Sequence, residues 1–229
     1  MAKVVYSPQV GDMRNKTGGA VHTKTRFGSM VRRKVSPTQP RSSAQMNVRA
    51  NFTALSKLWS DPTMDNYRAG WIGLADSYPV KDVFGQSQKL TGHQMFVRLN
   101  RALATVGIAA KLIPPSSLSA SYPGALTIVA TGAPVTVLTV APTTVCAASE
   151  LALVLATPGI SRGRAGAGAR FRLIGVYSDS PAPPWDIKTA YTNKFGAPIS
   201  GRKCFIRIIY TSGVTGAQSI ASEKEVTFA

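Results

Sequence analysis

Acidic side chains are scarce in this chain: ten Asp and Glu stand against 27 Lys and Arg, giving a formal net charge of +17 and a sequence pI near 10.4. That balance is far from the near-neutral surface of an ordinary soluble enzyme. It makes a polyanion an expected neighbour, and nucleic acid, an acidic protein lattice or an anionic membrane would all feel the same field. Cysteine is scarcer still, with Cys146 and Cys204 alone. Two thiols so far apart make neither a disulfide framework nor a zinc site. Both fall in or beside strand-like segments, where cysteine serves as a small buried apolar side chain. One bridge between them stays open, but reduced thiols and synthesis in a cytoplasm are the expectation without an export signal. Long apolar runs are missing too. The start MAKVVYSPQVGD has no apolar stretch after its Lys, and the stretch 126–155 is interrupted by Gly132, Pro134 and Pro142, so neither a signal peptide nor a membrane span is expected.

Catalytic side chains are equally sparse. The two histidines, His22 and His93, have no Cys, Ser or Asp at a spacing used by a triad or a metal site. The one close pair of acids, Glu223 and Glu225, alternates along a strand and so shares one face, which suits solvated edge charges better than a general-acid pair. No D-x-D-x-D-G run offers a calcium loop. The run Gly163-Arg164-Ala165-Gly166-Ala167-Gly168-Ala169 lacks the Lys-Ser/Thr of a phosphate-binding loop and leads into a strand-like segment. With Arg162, Arg164, Arg170 and Arg172 it reads as a flexible basic loop. The expectation is a non-enzyme with no cofactor, no metal and no small-molecule substrate.

What is present divides the chain into three parts, an α+β arrangement. Residues 1–41 are a basic segment with short β-like pieces at 4–6, 20–25 and 30–35, separated by Pro8, Gly11, Gly18-Gly19 and Gly28. Lys3, Arg14, Lys16, Lys24, Arg26, Arg32, Arg33, Lys34, Arg41 and Arg49 face one acid, Asp12, in the first fifty positions. None of these pieces has the apolar neighbours to close a core. The segment is therefore expected to be an extended arm, about forty residues reaching on the order of 130 Å, that becomes ordered against a neighbour. Residues 42–112 form a small three-helix unit. Val48, Phe52, Leu55 and Trp59 make the first apolar stripe, capped by Ser42 or Ser43. Tyr67, Trp71, Leu74 and Tyr78 make the second, after a Thr63 cap, and Phe96, Leu99, Leu103 and Val106 make the third, opened by Thr91 and closed by Gly107. These aromatic residues are expected in the core. Residues 113–229 start with a Pro-Ser linker and hold runs of Val, Ile, Leu, Thr and Phe at 125–131, 134–140, 151–157, 170–177, 203–210 and 218–228, the pattern of an antiparallel β-sandwich. A helical crossing is expected at 186–195 and a hairpin loop at 212–216.

Particular residues carry a resemblance. Gly18-Gly19-Ala20-Val21, Gly28-Ser29-Met30-Val31-Arg32 and Val35-Ser36-Pro37-Thr38-Gln39-Pro40-Arg41 are followed by Gln45, Arg49, Phe52, Leu55, Trp59, Arg68 and Trp71. With the Leu-Thr-Gly…Phe-Val-Arg-Leu-Asn stretch at 90–100, they resemble a group of phage, prophage and bacterial proteins of largely unassigned function. Those proteins have a Gly-rich basic start, a W…R…W helical module and a carboxyl-terminal domain similar to fibronectin type III or immunoglobulin sandwiches. The resemblance spans nearly the whole chain. It implies a phage-particle context and no catalytic residue. The chain departs from the pattern at Ser60-Asp61-Pro62, where a Leu-Thr signal is usual, and in lacking the core Trp of immunoglobulin sandwiches.

These readings point to a phage-type virion structural protein, capsid, capsid-associated or tail, made in the host cytoplasm and resident in the virion. Its partners would be other copies of itself, other virion proteins and the phosphates of packaged nucleic acid, with no membrane. Arg14, Lys16, Lys24, Arg26, Arg32, Arg33, Lys34, Arg41, Arg162 and Arg164 are the expected partner or polyanion contacts. The alternative is a nucleic-acid-binding accessory protein that does not read sequence. An enzyme acting on a polymer would need a pocket of converging polar groups.

Overall fold

The computed structural model describes residues 2–7, 10, 12–25, 28–36, 38–39, 41–82, 84–132, 135–168 and 170–228. The chain is α+β, with four α-helices and four antiparallel sheets among the described residues.

The first sheet corrects the expectation of an extended arm. Strands β1 (Ala2–Val4), β2 (Asn15–Thr17), β3 (Ala20–Thr25) and β4 (Gly28–Arg33) pair with one another in the order β1-β4-β3-β2. Thr17 faces Ala20 across a two-residue Gly18-Gly19 turn, and Gly18 takes the positive φ, +56°, that such a hairpin requires. Backbone pairing therefore satisfies the strand groups within the segment. A core does not follow: no described residue from 2 to 36 is buried. Lys3 ties the sheet to the body. It donates to the Asp82 carboxylate, approaches Gln86 Oε1 at 3.4 Å and sits 5.7 Å over the Phe84 ring. Asp82 opens the turn of a hairpin formed by β5 (Val80–Lys81) and β6 (Ser87–Gln88).

The helices begin where their caps place them. Ser42 Oγ accepts from Gln45 N at the start of α1 (Ser43–Ser60). Asp61, rather than Thr63, makes the next stop: its carboxylate accepts from Thr63 N at 2.9 Å and Thr63 Oγ1 at 2.7 Å over a 3₁₀ turn, Pro62–Met64, that leads into α2 (Asp65–Ser77). Thr91 and Gln94 form a reciprocal capping box on α3 (Gly92–Thr105), and Gly107 leaves it at φ +80°. Trp71 meets Phe96 edge-on at 5.2 Å among buried Leu55, Met64, Leu74 and Met95. Gly92 permits the close approach of α2 and α3, since a Cβ there would lie 3.0 Å from Ile72 N. Arg68 joins the two tryptophan-bearing helices. Its guanidinium donates to Trp59 O at 2.9 Å and Asp61 O at 3.3 Å, supplying partners to carbonyls that the end of α1 leaves unpaired. Trp71 Nε1 donates to Leu112 O at 2.7 Å, and buried Asn100 brackets Lys111 through both amide atoms, so the chain leaving α3 is held on the helices.

One expectation for this unit is corrected. Phe52 is 54% exposed and only Leu55 of the first stripe is buried, because α3 covers the carboxyl half of α1 and leaves the rest uncovered.

Beyond the linker, β7 (Leu126–Thr131), β8 (Val137–Pro142), β9 (Glu150–Ala156), β10 (Arg172–Tyr177), β11 (Trp185–Asp186), β12 (Lys203–Ser212) and β13 (Ser222–Thr227) form two sheets, β11-β8-β7 and β10-β9-β12-β13. Both contribute to one apolar cluster that includes Leu138, Val140, Val154, Ile206, Ile208 and Phe228. Helix α4 (Lys188–Phe195) adds Tyr191 to it. Trp185 corrects the expected lack of a core Trp. It is 2% exposed, stacks on Tyr177 at 5.4 Å and donates from Nε1 to Pro181 O at 2.9 Å. Cys146 and Cys204 are unpaired and buried, and burial pushes the Cys204 thiol up to about 12, which leaves it protonated and inert at neutral pH. The β12–β13 loop leans on α3. Gly216 has φ +75°, and a Cβ there would collide with the Leu99 carbonyl.

Candidate interaction surface

The predicted contact residues fall in the amino-terminal sheet with its flanking segments, which hold Arg14, Lys34 and Arg41, and in one carboxyl-terminal connection. In the amino-terminal sheet, Lys16 and Arg32 lie opposite Val21 from either side, which places both cations on one face. Arg33 sits across from Ala20 on the other face. Lys24 and Arg14 reach the Asp12 carboxylate at 3.1 and 3.3 Å, and the Lys24 bond leads in holding that carboxyl below its usual range. Lys16, Arg32, Arg33, Lys34 and Arg41 make no ion pair among the described residues. Arg26 lies outside the described residues. Arg162 and Arg164 are exposed in the β9–β10 connection, on a separate element. The cations therefore form a two-sided basic sheet and a basic loop, with no single stripe. His22 Nδ1 lies 2.9 Å from the Tyr6 hydroxyl, within hydrogen-bond distance, on the Arg33 face.

The acids are engaged locally. Six of the ten, Asp12, Asp65, Asp76, Asp82, Glu223 and Glu225, are in ion pairs. Glu223 and Glu225 meet Arg207 and Lys203 across β12–β13, each at 2.8 Å. Glu150 is buried. Burial works against its charge, yet it accepts from Ser121 N at 2.7 Å, the Ser121 hydroxyl and Ala147 N at 3.1 Å, and these bonds hold its carboxyl below the usual value. It pins the linker to the start of β9. Among the described residues no group of three or more His, Cys, Asp and Glu converges as metal ligands, and no helix is long and apolar enough to cross a membrane.

No known relative guides the assignment. No protein-family model matches this chain, and no curated protein or solved structure is significantly similar to it.

Sequence reasoning missed a second surface. Between α1 and α3 runs a groove of about 920 Å³ whose floor includes Val48, Phe52 and Val97 and whose rim carries Arg49, Arg98 and Arg101. The signal in the sequence is faint: Arg98 and Arg101 are i, i+3 neighbours on α3. Arg49 joins them only through helix packing.

Proposed function

We propose that this chain is a non-catalytic structural protein of a phage-type virion that assembles through its basic amino-terminal sheet. The observation carrying the reading is that sheet itself: four strands with edges at β1 and β2 and, among the described residues, none buried and at least three cations, Lys16, Arg32 and Arg33, without acidic partners. A sheet without a second layer gains stability by laying a face or an edge on another molecule. We read α1, α2 and α3 as a three-helix unit and the two carboxyl-terminal sheets as a sandwich of fibronectin type III or immunoglobulin kind, together the body from which the sheet extends. The phage context comes from the resemblance of the Gly-rich start and the Trp59, Arg68 and Trp71 module.

Removing residues 1–41 tests the reading. The shortened chain should stay folded and fail to assemble, as read by analytical ultracentrifugation and electron microscopy. Normal assembly of the shortened chain would defeat the proposal.

The adjacency of Lys16 and Arg32 on one face favours a second reading, in which the sheet rests on nucleic-acid phosphates. About six phosphate contacts would give DNA binding a log–log salt slope of roughly −5, which Lys16→Glu with Arg32→Glu should reduce by about 2. A sheet held by strand pairing and apolar contact would show no such slope.

A further inference from the structure

The groove between α1 and α3 is apart from the basic sheet, and its chemistry selects a different partner. Its apolar floor is open: Val48 and Phe52 are 48% and 54% exposed. The exposure belongs to a whole length of helix, since every residue of α1 from 43 to 54 is exposed. Those twelve residues span about 18 Å. A helical length of that size without tertiary cover has little intrinsic stability, so a covering partner would gain by ordering it.

The rim determines which partner fits. Arg49, Arg98 and Arg101 approach the groove, and none is in an ion pair among the described residues. Arg49 makes a 3.5 Å bond to Gln39 Oε1. Among the described residues no carboxylate lines the groove. A second copy is a poor source of three, because six of its ten acids are ion-paired, Glu150 is buried, Asp61 and Asp186 accept backbone N–H bonds at 2.9 Å, and Asp179 alone is left exposed without an ion pair among the described residues. Phosphates would meet the arginines and leave the apolar floor in water.

We propose that this groove receives an amphipathic helix of a different protein, with two or three apolar side chains in line and carboxylates on both sides of them. The apolar side chains bury Val48, Phe52 and Val97, and the carboxylates pair with the three guanidiniums, the geometry of helix-in-groove recognition.

The test is a selection on the full chain. A displayed library of helices of about 14 residues carries Leu at i, i+4 and i+7, with Glu or Lys allowed at each flanking position. The captured pool should be dominated by Glu. Its best member should bind at least about tenfold more weakly to the Arg98→Glu, Arg101→Glu double variant and regain affinity when its own Glu residues are changed to Lys. Phe52→Ser should weaken binding by about tenfold as well. All three positions are exposed, so the variants should melt with the wild type. An empty pool, a pool without Glu bias, or undiminished binding to the double variant overturns the proposal. So does capture of duplex DNA, or self-association, that the double variant abolishes while no peptide is captured.

Discussion

Two regions of this molecule are built from antiparallel strands, and they hold together differently. The two carboxyl-terminal sheets share one apolar cluster, in which Leu138, Val140, Val154, Ile206, Ile208, Trp185 and Phe228 are buried. The amino-terminal sheet has as many strands as the larger of those sheets, yet buries none of its described residues. Its inventory explains this: one face alternates Lys16, Val21 and Arg32 where β9 supplies Ala152, Val154 and Ala156. Pairing the backbone is enough to shape a sheet, and a second apolar layer is needed to make it a core.

The comparison breaks most sharply at Trp185. Trp185→Ala should cost about 3–5 kcal/mol in chemical denaturation by opening a cavity in the apolar cluster that the two carboxyl-terminal sheets share. Gly216→Ala follows at roughly 2–3 kcal/mol, since it adds both an unfavourable positive φ and a collision with the Leu99 carbonyl, and thermal melting will read it. Arg68→Ala should cost about 1–2 kcal/mol through the α1 carbonyls it leaves unpaired, with loss of helical circular dichroism.

Acid gives a smaller, signed effect. The Glu150 carboxyl titrates below its ordinary 4.5 when folded, so its contribution is complete above that value and is lost as pH falls through the lower folded one. Glu150→Gln should flatten this part of the acid limb in pH-dependent melting, while the limb due to Asp82 and Asp12 remains. The smallest effect sharpens the contrast: deleting residues 1–41 should shift the stability of the rest by less than about 1 kcal/mol in calorimetry, since among the described residues it removes no buried residue and one ion pair to the body, Lys3 with Asp82.

Local signals carried much of the architecture. Ser42, Thr91 and Gly107 mark helix ends by side-chain chemistry or backbone freedom alone, and the strand segments of the carboxyl-terminal region stand within a few residues of their expected places. The losses are non-local. The pairing of Lys3 with Met30 joins distant positions, and no periodicity within either piece announces it. Trp185 follows Pro181, Pro183 and Pro184, a context that reads as loop, while its burial depends on strand β8. Phe52 has the spacing of a core residue and lacks only the neighbour that would cover it. Of the expected contact residues, the charges were legible from composition, whereas their division between two faces required the register.

Helix α1 resembles a beam clamped at one end. Arg68 and the buried Leu55 grip its carboxyl half, and its free tip carries the chain that leads back to the basic sheet. Lys3, paired with Asp82, is a second tether, so the sheet is fixed to the rest of the chain at two points far apart in sequence, 3 and 42.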